Sequence, residues 1–304
     1  LHVVDPGEGS KSLAEFGRVI EFLEEARIDR AGVVVALGGG RVGDLAGFAA
    51  SAWLRGVRLL QVPTSLLAMV DSSVGGKTGV NTSRTKNSVG AFWQPAAVVA
   101  DLATLGTLPE DEYLAAFAEV VKYGVAMDAG LAERLLAEAP LLRARDPVSL
   151  EAVVSRCVEL KAGVVAADER ESGPRQILNY GHTVGHALEA ASEYASAHGR
   201  AVALGMRAAA RVAGRMGLCG DELEETQEAL LDAFGLPGPL PAVSAERVLA
   251  AIPRDKKSRG GVVRWVLPRR LGKAQLGVAA PEEVVGEVVH SLLGGAPVPS
   301  SRGG

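Results

Sequence analysis

"AGVVVALGGGRVGDLAGFAASAWLRG", residues 31–56, decides how this chain is built. Val33 to Leu37 is an unbroken apolar run of strand length, the pattern of a strand buried on both faces. Three glycines follow it. Small residues at Gly43, Ala46, Gly47 and Ala49 then predict a helix that packs closely on a sheet. A second apolar stretch, "VRLLQVPT", begins at Val57. Strand, helix and strand at this spacing predict a parallel α/β unit, with its ligand at the carboxyl ends of the strands. The glycine loop fits G-x-G-x-x-G through Gly38, Gly40 and Gly43, where amides at a helix N-terminus suit a pyrophosphate between Gly39 and Asp44. A standard dinucleotide fold would offer an acidic residue about twenty positions on, whereas the second strand here ends in Pro63, Thr64 and Ser65. Ordinary Rossmann binding is therefore not expected. A turn serving only strand–helix packing is the competing reading.

Downstream, "AAVVADLATLGTLP" supplies another strand and a turn, and a boundary falls near residues 105 to 110. From Pro109 the period changes to long alanine- and leucine-rich amphipathic stretches, among them "EDEYLAAFAEVVKYGVAM", "DPVSLEAVVSRCVELKAGVVAADE" and "AVALGMRAAARVAGRMG". "GGVVRWVLPRRLGKAQLGVAA" reads as a strand pair and "PEEVVGEVVHSLL" as a last helix. The expected organisation is an α/β parallel-sheet nucleotide-binding domain over 1–108, a mostly helical metal- and substrate-binding domain over 109–290, and a flexible tail over 291–304.

With 48% hydrophobic and 22% charged residues, the 304-residue chain is a soluble globular protein with room for two domains. Its net charge of -4 gives no broad attraction to nucleic acid or acidic lipid. No apolar run reaches membrane length and no signal peptide precedes the first strand, so a cytoplasmic location is expected. Cys157 and Cys219 are far apart without a CxxC pattern and read as two buried thiols in a reducing compartment.

Three stretches carry chemistry. "VDSSVGGKTGVNTSRTKNSVGAFWQP" sets Asp71, Lys77, Lys86 and Asn87 in a loop rich in glycine and serine, suited to a phosphate. "AFAEVVKYG" places Glu119 and Lys122 at i and i+3. They are either a surface ion pair, or Glu119 is an oxygen ligand awaiting nitrogen ligands. "NYGHTVGHALEAASEYASAHG", residues 179–199, holds His182, His186 and His198. Helix geometry alone nominates His182 and His186, one turn apart on one face. Spacing does not say which two imidazoles would join Glu119.

Together these stretches resemble the 3-dehydroquinate synthases. "LGGGRVGDLAGF", "QVPTSLLAMVDSSVGGKTGVN", "KNSVGAFWQP", "LATLGTLP", "AEVVKYG", "LNYGHTVGHALE", "HGRAVALGM" and "DKKSRGGVVRWVLP" occur in the order and spacing of that family, from about Pro6 to Leu267. The resemblance implies a shikimate-pathway lyase that converts 3-deoxy-D-arabino-heptulosonate 7-phosphate to 3-dehydroquinate and phosphate. Such an enzyme uses NAD+ catalytically, holds a divalent metal, Zn2+ or Co2+, and works as a homodimer.

Carried over by position, the resemblance implies Glu119, His182 and His198 as metal ligands, with His186 contacting substrate or relaying a proton. Lys77, Lys86, Asn87, Lys122, Lys161, Arg175 and Asn179 would hold the substrate's phosphate, carboxylate and hydroxyls. Arg55 would reach a partner's phosphate pocket, and Lys256, or its neighbour Lys257, would complete the set. For NAD+ it points to Glu8, Lys11, Gly39, Gly40, Asp44, Thr64, Ser65, Asp71, Lys77, Lys86, Thr104, Thr107 and Leu108. Two departures stand out. The family's usual segment before "DPGEGSK" is not represented, so either the sequence is a piece of a longer chain or the Rossmann-like domain is expected to be incomplete, with a sheet edge uncovered. Arg200 puts a cation two residues from His198, where it would oppose a bound metal unless it points to solvent. The rival readings are a 2-deoxy-scyllo-inosose or 2-epi-5-epi-valiolone synthase, a polyol dehydrogenase of related fold, and a non-catalytic NAD-binding remnant.

Overall fold

The structure is a computed structural model that describes residues 1–83, 85–252 and 263–294. Its contacts group the chain into two compact units. One is Leu1–Tyr113 with Pro147–Arg170; the other is Leu114–Asp146 with the chain from Glu171 onward.

The first unit opens with α1 (Leu13–Glu25), whose N-cap Ser12 accepts a hydrogen bond from the Glu15 amide at 3.2 Å. This is the serine-first capping pattern that "SLAE" announces. β1 (Val33–Gly38) leads through the glycine loop into α2 (Gly40–Ala52), and β2 (Arg58–Pro63) returns beside β1. β1 and β2 are parallel, in register from Val33 opposite Arg58 to Gly38 opposite Pro63. A hairpin of β3 (Lys77–Val80) and β4 (Val89–Phe92) comes next, and then the short β5 (Ala97–Val98) joins the far side of β2. The parallel sheet thus has the order β1-β2-β5.

α2 buries Gly43, Leu45, Gly47, Ala49 and Ala50. Leu45 and Ala49 meet Val19 and Leu23 of α1, while Ala50 meets Ala36, Val57 and Leu59 of the sheet side. Trp53 and Trp93 close the flanks by donating Nε1–H to the carbonyls of Ile28 and Val57, each at 2.9 Å. One expectation fails here. Val33, Val35 and Leu37 are 42%, 55% and 63% exposed, so β1 is buried on one face only. Among the described residues β1 has a neighbouring strand on one side only, and only its Val34 and Ala36 face is packed.

α3 (Glu110–Met127) starts in the first unit and ends in the second, α4 (Ala129–Arg143) stays in the second, and α5 (Pro147–Ala167) belongs to the first. The second unit continues with α6 (His182–Ala191), α7 (His198–Arg215), α8 (Asp221–Ala233) and α9 (Ala245–Ala251). The antiparallel pair β6 (Arg264–Arg270) and β7 (Lys273–Ala279) follows as the sequence predicts, and α10 (Glu282–Leu293) ends at Gly294 in left-handed conformation. The expected tail therefore gives way to helix as far as Leu293, and its remaining residues, 295–304, lie outside the described residues.

α7 is the centre of this unit. Twelve of its residues are buried, too many for one stripe, so neighbours must cover it on several sides. Its glycines let backbones touch. A Cβ on Gly199 would lie 1.9 Å from the Ala115 carbonyl oxygen of α3, and one on Gly205 would lie 1.8 Å from that of Gly181, just before α6. These two contacts bring the beginnings of α6 and α7 to α3. Nearby, Phe117 stacks on Phe234 at 4.1 Å, and the buried Tyr180 donates its hydroxyl to Gln227.

Candidate functional site

In the second unit three elements present one donor each. Glu119 lies in the middle of α3 and has no exposure, His182 opens α6 and His198 opens α7. The Nε2 atoms of His182 and His198 approach the same carboxylate oxygen, Glu119 Oε1, at 3.5 and 3.2 Å. Each ring is held from behind. His182 Nδ1 bonds the Tyr180 carbonyl at 3.1 Å, and His198 Nδ1 bonds Glu189 Oε2 at 3.2 Å. A neutral imidazole that donates at Nδ1 carries its lone pair on Nε2, so in that form both rings would offer a lone pair to a cation beside Glu119.

Two groups of donors meet within 4.8 Å among the described residues: Glu119, His182 and His198, and also His186, Glu189 and His198. The i, i+4 pair does not form such a group. The His182 and His186 rings stand edge to face 5.0 Å apart, with His186 turned toward Glu189 and His198 instead.

Lys122 pairs with Glu119 from one turn along α3, and both side chains are buried, so the surface ion pair is excluded. Burial alone would raise the Glu119 carboxyl, but the Lys122 ammonium and the His198 ring beside it bring it down to about 2. Burial would lower His198, yet Glu119 and Glu189 on its two nitrogens push it up to about 10. Two carboxylates around one imidazole create a place that demands positive charge. A proton on His198 supplies it in the metal-free chain. Arg200 does not oppose this through the ligands: its Nη1 donates to the Pro237 carbonyl at 2.9 Å, a partner in the protein rather than the solvent.

Arg175 is 1% exposed in the 3-10 turn Pro174–Asn179, and Asn179 Nδ2 donates to Glu171 Oε1 at 2.7 Å. Lys256 and Lys257 lie outside the described residues.

In the first unit the glycine loop ends on Gly39, the N-cap of α2. The Ser72 hydroxyl is buried there without a hydrogen-bond partner among the described residues, 2.5 Å from where a Cβ on Gly40 would stand. A buried hydroxyl beside a glycine and a helix N-terminus fits an anionic group such as a cofactor phosphate. In the same unit, Lys11 binds Asp44 and Asn87 with its ammonium, and Glu8 accepts from Asn81 Nδ2 at 2.7 Å. Burial raises the Asp44 carboxyl, against the pull of Lys11. Lys161 on α5 donates to the Asp71 carbonyl at 2.6 Å and pairs with its carboxylate.

Lys77 starts β3, and Lys86 with Asn87 lies in the β3–β4 connection, so the expected loop is largely a hairpin. Thr64 donates its amide to the Gly38 carbonyl at 2.9 Å, and the Ser65 hydroxyl accepts from the Ala68 amide at 3.4 Å. Thr104 and Thr107 lie in the 3-10 turn Leu102–Thr107, capped by Leu108. Arg55 follows α2 with Leu54 at φ 67° and 49°, two successive non-glycine residues in left-handed conformation.

Sequence reasoning passed over three residues that the structure brings forward. Glu189 stands seven residues after His182 on α6, two turns along the same face, which is a readable signal. Ser72 and Glu171 have none, because their placement depends on distant backbone.

The chain thus has a parallel-sheet unit with a phosphate-fitting glycine loop and a helical unit with a Glu-His-His donor set, and its fold matches solved sugar phosphate cyclases. A solved 2-epi-5-epi-valiolone synthase from Streptomyces hygroscopicus subsp. jinggangensis, with NAD+ and Zn2+ bound, matches 95% of the chain and 81% of its own at TM-score 0.88 and 26% identity. A 2-deoxy-scyllo-inosose synthase complexed with carbaglucose-6-phosphate, NAD+ and Co2+ matches 94% and 81% at TM-score 0.86 and 30% identity. Family models for the N-terminal and C-terminal parts of 3-dehydroquinate synthase match residues 1–115 and 116–258. The 3-dehydroquinate synthase of Halorhodospira halophila is 51% identical over 288 residues, 94% of this chain and 81% of that protein. The chain belongs to the 3-dehydroquinate synthase family.

Proposed function

We propose that the chain is a lyase converting 3-deoxy-D-arabino-heptulosonate 7-phosphate to 3-dehydroquinate and phosphate, with NAD+ and a divalent metal, Zn2+ or Co2+. The observation that carries this reading is the convergence of His182 Nε2 and His198 Nε2 on Glu119 Oε1 in a chain of this family. The donor set of one carboxylate and two imidazoles suits either ion. When bound, the metal polarises the alcohol to be oxidised and NAD+ takes up and returns the hydride.

The chain's own groups do the rest. Glu119, His182 and His198 hold the metal, and Lys122 balances the buried carboxylate between them. His186, beside that set, is placed to hold or pass a proton. Lys77, Lys86, Asn87 and Lys161 bind anionic and hydroxyl groups of the substrate, as do Arg175, Asn179 and Lys256. The glycine loop at Gly39 and Gly40 takes the cofactor pyrophosphate. Glu8, Lys11, Asp44, Thr64, Ser65, Asp71, Thr104, Thr107 and Leu108 form the remainder of the NAD+ site. Arg55 acts in a partner's pocket of a cytoplasmic homodimer, and nucleic acid and membrane have no part in it. No helix among the described residues is long and apolar enough to cross a membrane.

The test is phosphate release by the purified chain given the heptulosonate phosphate, NAD+ and Zn2+. Release without net NADH supports the assignment. Turnover of a sugar phosphate without a carboxylate in its place would reassign the chain to a sibling cyclase. NADH accumulating with a polyol would make it a dehydrogenase, and no turnover with a full metal complement would make it a non-catalytic binder.

A further inference from the structure

We infer that Glu189 is a positioning residue for the metal centre: its carboxylate fixes His198 through Nδ1 so that Nε2 alone faces the cation. The inference rests on the metal assignment proposed above. Glu189 is 6% exposed on α6, and its Oε2 lies 3.2 Å from His198 Nδ1. The same helix therefore supplies one ligand, His182, and the anchor of the other.

The two imidazoles need different degrees of support. The His182 side chain is 10% exposed and is held by packing and by the Tyr180 carbonyl, whereas that of His198 is 32% exposed at the first residue of its helix. Packing alone does not fix a ring that open, so its orientation depends on the bond behind it. A carboxylate in that place also makes the ring a stronger donor than a carbonyl does.

The second donor group, His186 with Glu189 and His198, offers a competing role in which Glu189 is itself a ligand to another cation. Both His198 nitrogens are already engaged, Nε2 toward Glu119 and Nδ1 toward Glu189. A second cation on Nδ1 would require the ring to lose its remaining proton and to bridge two adjacent charges. The anchoring role requires neither.

Metal-stripped wild type, Glu189→Ala, Glu189→Gln and His198→Ala are titrated with Zn2+ against a chromophoric chelator, and the Co2+ forms are compared by visible absorption. Wild type is expected to bind one Zn2+ per chain. Glu189→Ala should weaken it by about 10- to 100-fold, the usual loss for an outer partner of a ligand histidine. Glu189→Gln should recover part of the affinity and return the Co2+ bands toward wild type, because its amide oxygen still accepts from Nδ1.

Wild-type affinity in Glu189→Ala, with zinc lost in His198→Ala, would overturn the inference and spare the metal assignment. Zinc retained in His198→Ala would overturn that assignment instead. Two Zn2+ per wild-type chain falling to one in Glu189→Ala would make Glu189 a ligand, against the inference. Should Glu189→Ala fail to fold, Glu189→Leu, which fills the space without an acceptor for Nδ1, decides: reduced affinity with shifted Co2+ bands supports positioning, and wild-type behaviour in both refutes it.

Discussion

A Gly199→Ala variant would place a methyl group 1.9 Å from the carbonyl oxygen of Ala115, whereas real Cβ atoms stay beyond 3.0 Å. The obstacle is backbone and cannot rotate away, so α3 and the first turn of α7 must separate by about 1 Å. Overpacking of this kind typically costs about 1–3 kcal/mol. The same movement reaches the candidate metal centre. His198 precedes the altered residue, and Glu119 lies one turn beyond Ala115 on α3, with 3.2 Å between their facing atoms. Metal sites tolerate about 0.2 Å of error in ligand distance, so a 1 Å separation should also weaken Zn2+ binding. Urea unfolding of the metal-free protein and a zinc competition titration read the two effects. Gly214→Ala is the control: it lies in the same helix with nothing within 4 Å of the added carbon, and should stabilise by up to about 1 kcal/mol. If Gly199→Ala unfolded within 0.5 kcal/mol of wild type, roughly the scatter of surface substitutions, and bound zinc normally, the α3–α7 contact would not be what sets the ligand spacing.

His198→Ala should lose its metal by elemental analysis, while His186→Ala should keep it and lose turnover; the reverse would restore the i, i+4 pair as ligands. Tyr180→Phe removes the hydroxyl that the buried Gln227 accepts, which should cost about 1–3 kcal/mol in denaturant unfolding; no change would mean that Gln227 finds another donor. Gly40→Ala should unfold close to wild type, since the Ser72 side chain can rotate, yet weaken NAD+ binding at least about tenfold, or ~1.4 kcal/mol, by calorimetry. Unchanged affinity would place the cofactor phosphates elsewhere. Burial, and then the Glu224 carboxylate, raises the Cys219 thiol above its ordinary value. Thiolate is therefore scarcer at pH 8 in the folded chain, and alkylation there should be slower than in urea, with its pH midpoint above that of the unfolded chain; a midpoint at or below the unfolded one would contradict this.

The glycine loop, the strand–helix–strand order and the change to helices after Pro109 were legible because period and glycine placement are local properties. The candidate donor set was not legible from spacing, although the family resemblance implied it. Helix spacing favours His182 with His186, and only the crossing of α7 over α3 and α6, through Gly199 and Gly205, brings His198 to Glu119 instead. The burial of β1 was misread for a related reason: an apolar run of strand length looks the same whether one or both faces of its sheet are covered. Which face of Val33 to Leu37 is covered depends on what packs against the sheet, here α2 on the Val34 and Ala36 side, and that is not a property of the run. The pairing of Glu119 with Lys122 was visible, but its burial follows from Phe117, Phe234 and α7 packed around α3, and no spacing rule conveys that.

Pro147–Arg170 lies in the first compact unit although Leu114–Asp146 precedes it in the second. During synthesis the first unit therefore cannot close when Tyr113 leaves the ribosome. It must wait for α5, which brings Lys161 to Asp71, while α4 and most of α3 are already exposed without α8 and α7 to cover them. Domains tend to fold as they emerge, and this connectivity denies the chain that order. It also means that no single cut yields either half intact, so a fragment ending near residue 113 would be a poor stand-in for the nucleotide-binding unit.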